Sequence, residues 1–189
     1  MRVVLALAVA PACVPFAVPP VTGDVGVAHT FASDSRTGVH ADVGFAPLQL
    51  SSDSLHRPWD ATLSGSFDRA AAHDAWGLAV AGGPVLHPWG DDLSDDATNR
   101  LLPQLVGRLT TDGTAVGARV AIEHSVFTTS ANADNNALVS MHGETAFGLY
   151  LEADYVHPDT MPANEWSVSL GLTLRTPALA GISRLVDWR

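Results

Sequence analysis

Residue types that serve acyl-transfer chemistry gather in one stretch of the sequence. It holds Glu123, His124, Ser125, His142 and Glu144, and His and Ser act as base and nucleophile in many hydrolases. In an extended chain, however, neighbouring residues point to opposite faces, so His124 and Ser125 cannot act together. No nucleophile-elbow motif accompanies them. We therefore predict that the protein is not an enzyme, and a lipid hydrolase is only the third hypothesis for its function.

Four carboxylates crowd a second segment, at Asp91, Asp92, Asp95 and Asp96. Clustered carboxylates can bind Ca²⁺, but the spacing lacks the alternating Asp, Asn and Gly and the distal Glu of an EF-hand loop. A solvated acidic loop is the simpler interpretation, with calcium as the alternative. The eight histidines are scattered without the spacing of metal ligands. We predict no other metal and no cofactor.

The N-terminus has the layout of a secretory leader, because Arg2 precedes a short apolar run at residues 3–10. We expect the leader to cover residues 1–12. Ala10-Pro11-Ala12 resembles a cleavage site and, together with Cys13, the lipobox of bacterial lipoproteins. Cys13 is the only cysteine, so no disulfide accounts for it. It is the candidate lipidation site, as the first residue of the mature chain; plain cleavage is the first alternative, and a buried strand residue is the second.

Composition excludes several classes of protein. The chain has 189 residues, with 10 basic side chains, all arginine, against 20 acidic ones, and its formal net charge of −10 argues against binding nucleic acid. With 47% hydrophobic and 16% charged residues it is too apolar for a disordered chain. It nevertheless lacks the roughly 18 unbroken apolar residues of a membrane-spanning helix. One domain is expected at this length, and a chain of this kind would enter a bilayer only as strands.

Beyond the leader, bulky apolar residues alternate with small or polar ones in eight segments, which are separated by breaks rich in Gly, Asp, Asn, Ser or Pro. Alternation with a period of two is typical of β-strands. The eighth segment is the clearest, with Trp166, Val168, Leu170, Leu172 and Leu174 on one face. The bulky residues of the other segments are Val21, Val25, Val27 and Phe31; Val39, Val43 and Phe45; Trp59, Leu63 and Phe67; Trp76, Leu78 and Val80; Leu101, Leu105 and Leu109; Val116, Val120 and Ile122; Phe147, Leu149, Leu151 and Tyr155.

The breaks predict hairpins between successive strands. Asp112-Gly113 is the strongest signal, since this dipeptide supplies the positive φ angles of a tight turn. Pro103 predicts an irregular start or an edge position for the fifth strand. Because closure removes exposed strand edges, we predict an all-β, antiparallel, up-and-down barrel of about eight strands over residues 20–176. Residues 177–189 would form a C-terminal tail or an extra strand.

The two faces of these strands differ in size, and that difference predicts which one is outside. One face is dominated by Gly, Ala, Ser and Thr, which suit the narrow interior of an eight-stranded barrel, whereas a water-facing sheet would be rich in long polar side chains. The bulky face then meets lipid. Charged residues on the small face should pair inside, because a buried charge is tolerated only with a partner. Besides Asp24 and His40, the predicted interior charges are Asp42, Asp60, Arg108, Arg119, Glu123, Glu152 and Arg175.

The dyad pattern and the aromatic residues at strand ends resemble the small bacterial outer-membrane β-barrel proteins over about residues 20–176. The resemblance implies a transmembrane barrel in the bacterial outer membrane, with membrane lipid as its partner and a structural or surface-interaction role. We expect a monomer, and the sequence identifies no protein partner. One departure is that the long breaks follow the second, fourth and sixth strands, the reverse of the usual order. The leading alternative is a soluble, lipocalin-like barrel whose bulky residues line a hydrophobic pocket.

Overall fold

Ten strands and one short 3₁₀ helix make up the regular structure of the part of the chain that the computed structural model describes. That part comprises residues 13–31, 35–50, 57–70, 73–89, 97–133, 137–159 and 164–184. The strands are β1 (Cys13–Val18), β2 (Val21–Phe31), β3 (Arg36–Phe45), β4 (Trp59–Ala70), β5 (His73–Pro84), β6 (Ala97–Thr110), β7 (Gly113–Ala133), β8 (Ala137–Pro158), β9 (Glu165–Arg175) and β10 (Ala178–Arg184), and the helix is Pro47–Leu50. None of the helices in these ranges is long and apolar enough to span a membrane.

Strands β2 to β9 form a closed barrel of eight antiparallel strands. Each strand pairs with the next along the chain, and β9 returns to pair with β2, where Val27 lies opposite Leu170. Closure leaves no open edge in the barrel wall. The predicted antiparallel, up-and-down barrel of eight strands is confirmed.

The register of the pairs determines the tilt of the strands. One row of paired residues runs around the barrel through Val21, Phe45, Leu63, Val80, Gly107, Val116, Tyr155, Trp166 and Phe31. This outer row returns to β2 ten residues further along than it began. A stagger of ten over eight strands corresponds to a tilt of about 40°. Strands of about ten residues then cross about 25 Å, the height of the apolar band of a membrane barrel.

The bulky face of every barrel strand lies outside. Leu170 is 61% exposed, whereas Ser169, its neighbour on β9, is buried. The same alternation holds on β8, where Leu151 is exposed and Glu152 is buried. The large exposed side chains include Val25, Val27, Val39, Val43, Leu63, Leu78, Val80, Leu105, Leu109, Val116, Val120, Ile122, Leu149, Leu172 and Leu174. The structure therefore has the transmembrane type of barrel, and the inside-out arrangement of a lipocalin-like pocket is wrong.

The predicted hairpin turn at Asp112-Gly113 lies one residue earlier than its sequence signal. Gly113 is already paired with Thr110, so the two turn residues are Thr111 and Asp112. Gly113 has a φ of +149°, and a Cβ there would lie 2.2 Å from the carbonyl oxygen of His157 on β8. The close approach of a neighbouring strand requires glycine at this position.

Pro103 lies within β6, which is paired on both sides and is not an edge strand. On one side Pro103 is paired with Val120 of β7. On the other side the ladder to β5 ends at Leu105, and the next pairing is a single bridge between Leu101 and Leu86, which lies beyond the end of β5. Proline has no N–H to donate, so the irregularity is a gap in one ladder, and the expectation of an edge position was wrong.

The two ends of the barrel differ. We call the end with Val21 and Arg175 the terminal end; there the longer connections, residues 46–58 and 85–96, join β3 to β4 and β5 to β6. We call the opposite end the hairpin end; there residues 71–72 connect β4 to β5, and residues 111–112 connect β6 to β7. At the terminal end β7 and β8 continue beyond the barrel, where β10 pairs with β8 and β1 pairs with β10.

A charge on the outer surface should destabilise the barrel in a depth-dependent way. We expect Leu170→Arg, at mid-height, to lower the free energy of unfolding in lipid vesicles by about 2–4 kcal/mol, because the guanidinium would face hydrocarbon. Thr145→Arg is the matched control, since Thr145 is exposed on β8 at the terminal end, and it should cost at most about 1 kcal/mol. Denaturant titration of tryptophan fluorescence measures both; equal effects would contradict a lipid-facing surface.

Candidate functional site

The barrel interior holds the chemically distinctive side chains of the structure, arranged as two groups of ion pairs separated by an apolar layer. The group at the terminal end, called here the terminal cluster, comprises Arg57, Asp60, Arg100, Glu123, Glu144 and Arg175, all of them buried. Three guanidinium groups are thus matched by three carboxylates. Such a balance satisfies the requirement that a buried charge have a partner.

Arg100 lies at the centre of the terminal cluster and is completely buried. Its Nη2 donates to Glu123 Oε2 at 2.7 Å and to Glu144 Oε1 at 2.6 Å. Its Nη1 also donates to Glu144 Oε2 at 2.7 Å. Planar guanidinium groups suit such multiple contacts with carboxylates. The contacts tie β6 to β7 and β8.

Arg175, on the last barrel strand, connects parts of the wall that are distant in sequence. Its Nη2 donates to Asp60 Oδ2 at 2.7 Å, and its Nε donates to Glu123 Oε1 at 3.0 Å. Asp60 belongs to β4 and Glu123 to β7, so that one side chain joins three strands across the interior. These contacts fix the register on which closure depends.

The connection between β3 and β4 contributes two side chains to the same cluster. Arg57 Nη2 donates to Glu144 Oε1 and to Asp60 Oδ1, both at 2.9 Å. Gln49, from the 3₁₀ helix, donates through Nε2 to Glu144 Oε1 at 2.7 Å and is completely buried. Both side chains therefore reach into the terminal end of the barrel.

An apolar layer separates the two charged groups. Leu102, Ala121 and Tyr150 pack there with Val85, and all four are buried. The ring of Tyr150 lies over Gly26 and Gly171, where an added Cβ would collide with it. Arg119 stacks above the same ring, with its Cζ 4.1 Å from the ring centroid, a cation–π geometry. Side chains thus fill the barrel at mid-height.

The second group, the hairpin cluster, comprises Asp24, His40, Asp42, Asp68, Arg108, Arg119, Glu152 and Asp154. Arg108 is its centre: Nη1 donates to Asp154 Oδ2 at 2.7 Å, Nη2 donates to Asp42 Oδ2 at 3.2 Å, and Arg108 also pairs with Glu152. Arg119 Nη2 lies 2.8 Å from Asp24 Oδ1. Five carboxylates face two guanidinium groups here, so this cluster is the more acidic of the two.

His40 links the buried part of the hairpin cluster to its open side. Nδ1 lies 2.6 Å from Asp68 Oδ1, and Nε2 lies 3.2 Å from Asp42 Oδ2. Asp68 is the partly exposed member, at 38%, and faces a depression of about 120 Å³ at the hairpin end. Small side chains, Ala28 and Ala75 among them, line that depression. The depression therefore extends from the hairpin end to His40, which is itself buried.

All seven charges that the sequence places in the interior are buried there: Asp42, Asp60, Arg108, Arg119, Glu123, Glu152 and Arg175. Five further cluster members were missed as interior charges: Arg57, Asp68, Arg100, Glu144 and Asp154. Arg100 and Glu144 have the same strand parity as Arg108 and Ala146, a signal that extending the alternation upstream would have found. Arg57 lies outside any alternating segment, and the sequence carries no comparable signal for it.

The residues considered for acyl transfer do not form a catalytic arrangement. Ser125 is completely buried on the inner face of β7, whereas His124 is half-buried and packs against the outward-facing Phe147, with ring centroids 5.4 Å apart. Glu144 is committed to Arg100 and Arg57. His142 lies on β8 opposite Thr129.

Two other candidate sites are not tested by the structure. Asp91, Asp92, Asp95 and Asp96 lie outside the described residues, and calcium binding there stays a prediction. Cys13 begins β1 and is paired with Arg184 of β10; its lipidation also stays a prediction, which incorporation of labelled palmitate would test. Within the described ranges, no group of three or more His, Cys, Asp or Glu side chains could hold a metal ion.

Comparisons with known proteins add little to this picture. No protein-family model matches the sequence, and no curated protein matches it. Among solved structures, the outer membrane protein OprG from Pseudomonas aeruginosa is similar over 86% of this chain and 95% of that one, at 9% identity and a TM-score of 0.27. A likeness this weak carries no argument, and the barrel type rests on the closed sheet and its outward apolar face.

Removing a central cation from the terminal cluster should cost far more than removing a surface one. We expect Arg100→Met to lower the free energy of unfolding by about 3–5 kcal/mol, because it leaves Glu123 and Glu144 buried with less compensation. The check is denaturant unfolding in vesicles.

Arg69→Met is the matched control, because Arg69 pairs with Asp74 at 3.4 Å with both side chains exposed, at 63% and 46%. It should cost less than about 1 kcal/mol. If the two variants lost the same stability, the interior pairs would have no special role.

Proposed function

We propose that the protein is a non-catalytic β-barrel of the bacterial outer membrane, with a structural or surface-interaction role. The observation that carries this proposal is the polarity of the wall: bulky hydrocarbon faces out at every strand and paired charges face in. In water such a surface would aggregate, because exposed apolar patches of this extent are not tolerated on soluble proteins. In a bilayer it is the required surface.

A structural or interaction role is supported by the filled interior. Arg100 in the terminal cluster and Leu102 and Tyr150 in the apolar layer are at most 1% exposed. An eight-stranded barrel filled at two heights leaves no room for a water-filled pore. The outer-membrane location is further supported by the secretory leader expected at residues 1–12.

The terminal end is the surface best suited to interactions. There β7 and β8 extend beyond the barrel and are joined by β10 and β1, whereas the hairpin end has shorter connections. Loops and extensions beyond a rigid scaffold commonly carry binding functions. A partner would therefore meet the terminal end, on the side of the membrane where β1 and β10 lie.

The proposal predicts a membrane protein that does not conduct. Detergent should be required for extraction, and the folded form should migrate apart from the boiled form on a gel, because the closed hydrogen-bonded wall resists unfolding. In planar bilayers the purified protein should show no stepwise ion conductance, since its interior is filled. A large porin in the same bilayers is the positive control. Extraction by salt alone would refute the membrane location, and reproducible single channels would refute the closed interior.

A further inference from the structure

The lipid-facing surface has a notch at Gly107, where it opens into a groove across neighbouring strands. The outer row carries a bulky apolar or aromatic side chain at every position except Gly107. Nothing lies within 4 Å of the place where a Cβ at Gly107 would stand. Its neighbours on the same face of β6, Leu105 and Leu109, project strongly and are 73% and 64% exposed. The missing side chain therefore leaves a depression with apolar walls.

The depression continues as a groove of about 590 Å³ over four adjacent strands. Two rows of paired, outward-facing residues form it. The deeper row is Val80, Gly107, Val116 and Tyr155, and the row nearer the hairpin end includes Leu109, Thr114 and His157. The groove thus runs from the apolar band toward the membrane boundary at the hairpin end.

The end of the groove nearer the hairpin end is polar, and its hydrogen bonds have a defined direction. His157 Nδ1 lies 2.5 Å from Asn164 Oδ1, and the Asn164 amide donates through Nδ2 to the Tyr155 hydroxyl oxygen. The Tyr155 oxygen is therefore already an acceptor, which leaves its O–H free to donate outward. The ring of Trp166 packs against that of Tyr155, with centroids 5.2 Å apart, and holds it at the level where aromatic girdles meet lipid headgroups.

We propose that this groove binds one glycerophospholipid, with an acyl chain in the notch at Gly107 and a carbonyl or phosphate oxygen of its headgroup region accepting a hydrogen bond from Tyr155. The chemistry of the groove matches an amphipathic molecule, since the groove is lined by hydrocarbon near Gly107 and offers hydrogen bonds at the end nearer the hairpin end. Its continuity with the lipid-facing surface makes lipid the occupant, because lipid surrounds this wall on every side. The inference rests on the proposed membrane location.

The test compares two outward-facing glycine positions, of which Gly107 lines the groove and Gly65 does not. Gly107→Leu would fill the notch without a clash. Gly65→Leu is the matched control: Gly65 is also exposed on the outer face, with only the Val43 carbonyl oxygen, at 3.8 Å, near an added Cβ, and lies outside the groove. The full chain and both variants are reconstituted in nanodiscs of palmitoyl-oleoyl-phosphatidylethanolamine, released in the gas phase, and examined by native mass spectrometry.

We expect the wild type and Gly65→Leu to retain one phospholipid, and Gly107→Leu to retain it about tenfold less, because filling the groove displaces several methylene groups of the acyl chain. Tyr155→Phe should also reduce retention, by roughly three- to tenfold, through loss of the hydrogen bond. Equal retention by wild type and Gly107→Leu would overturn the proposal. The proposal would also be overturned if Gly107→Leu lost dimers without a change in bound lipid. That result would assign the groove to a second copy of the chain. Failure of all variants to insert into nanodiscs would instead refute the membrane location.

Discussion

The structure depends on one constraint of solvation. The outside of the barrel wall lies in hydrocarbon instead of water, so the charged side chains of the wall must find their partners inside the barrel. Hydrocarbon cannot solvate an ion or an unpaired peptide group. The outward valines and leucines and the inward arginines and carboxylates are therefore two consequences of the same requirement. Closure of the sheet satisfies the peptide groups, and the two charged clusters satisfy the side chains.

The interior pairs act on register more than on net stability. The free-energy cost of removing two ions from water offsets much of their electrostatic attraction, so buried ion pairs are weak evidence for a large stabilising contribution. Their geometry is nevertheless demanding. Arg175 meets Asp60 and Glu123 only if β9, β4 and β7 have the observed stagger, and a slip of one residue on any strand would turn its charge toward lipid. The apolar layer around Tyr150 then separates two polar compartments.

Most of the fold could be predicted because a period of two leaves a direct mark on the sequence. Trp166 to Leu174 alternate without a break, and the small residues between them can only lie inside a narrow barrel. Most of the interior charges followed from the same parity, whereas Arg57 did not. The burial of Gln49 and Arg57 was not predictable, since it depends on contacts with Glu144, which lies 95 and 87 residues away from them in the chain. The turn before Gly113 was displaced by one residue for a similar reason, because a strand distant in sequence, at His157, decides where glycine is needed.

The lipid-facing wall of the barrel is tested most directly by measuring which medium each outward residue meets. In a Cys13→Ser background, nitroxide labels at Leu151→Cys and Leu170→Cys, on β8 and β9, are compared with a label at Thr145→Cys in lipid vesicles, using collisions with oxygen and with a water-soluble nickel chelate. Labels at the two leucine positions should collide freely with oxygen and scarcely with the chelate, and the label at Thr145 should show the opposite. Equal collision with the chelate at all three positions would mean that water covers the wall, and the membrane barrel would be wrong.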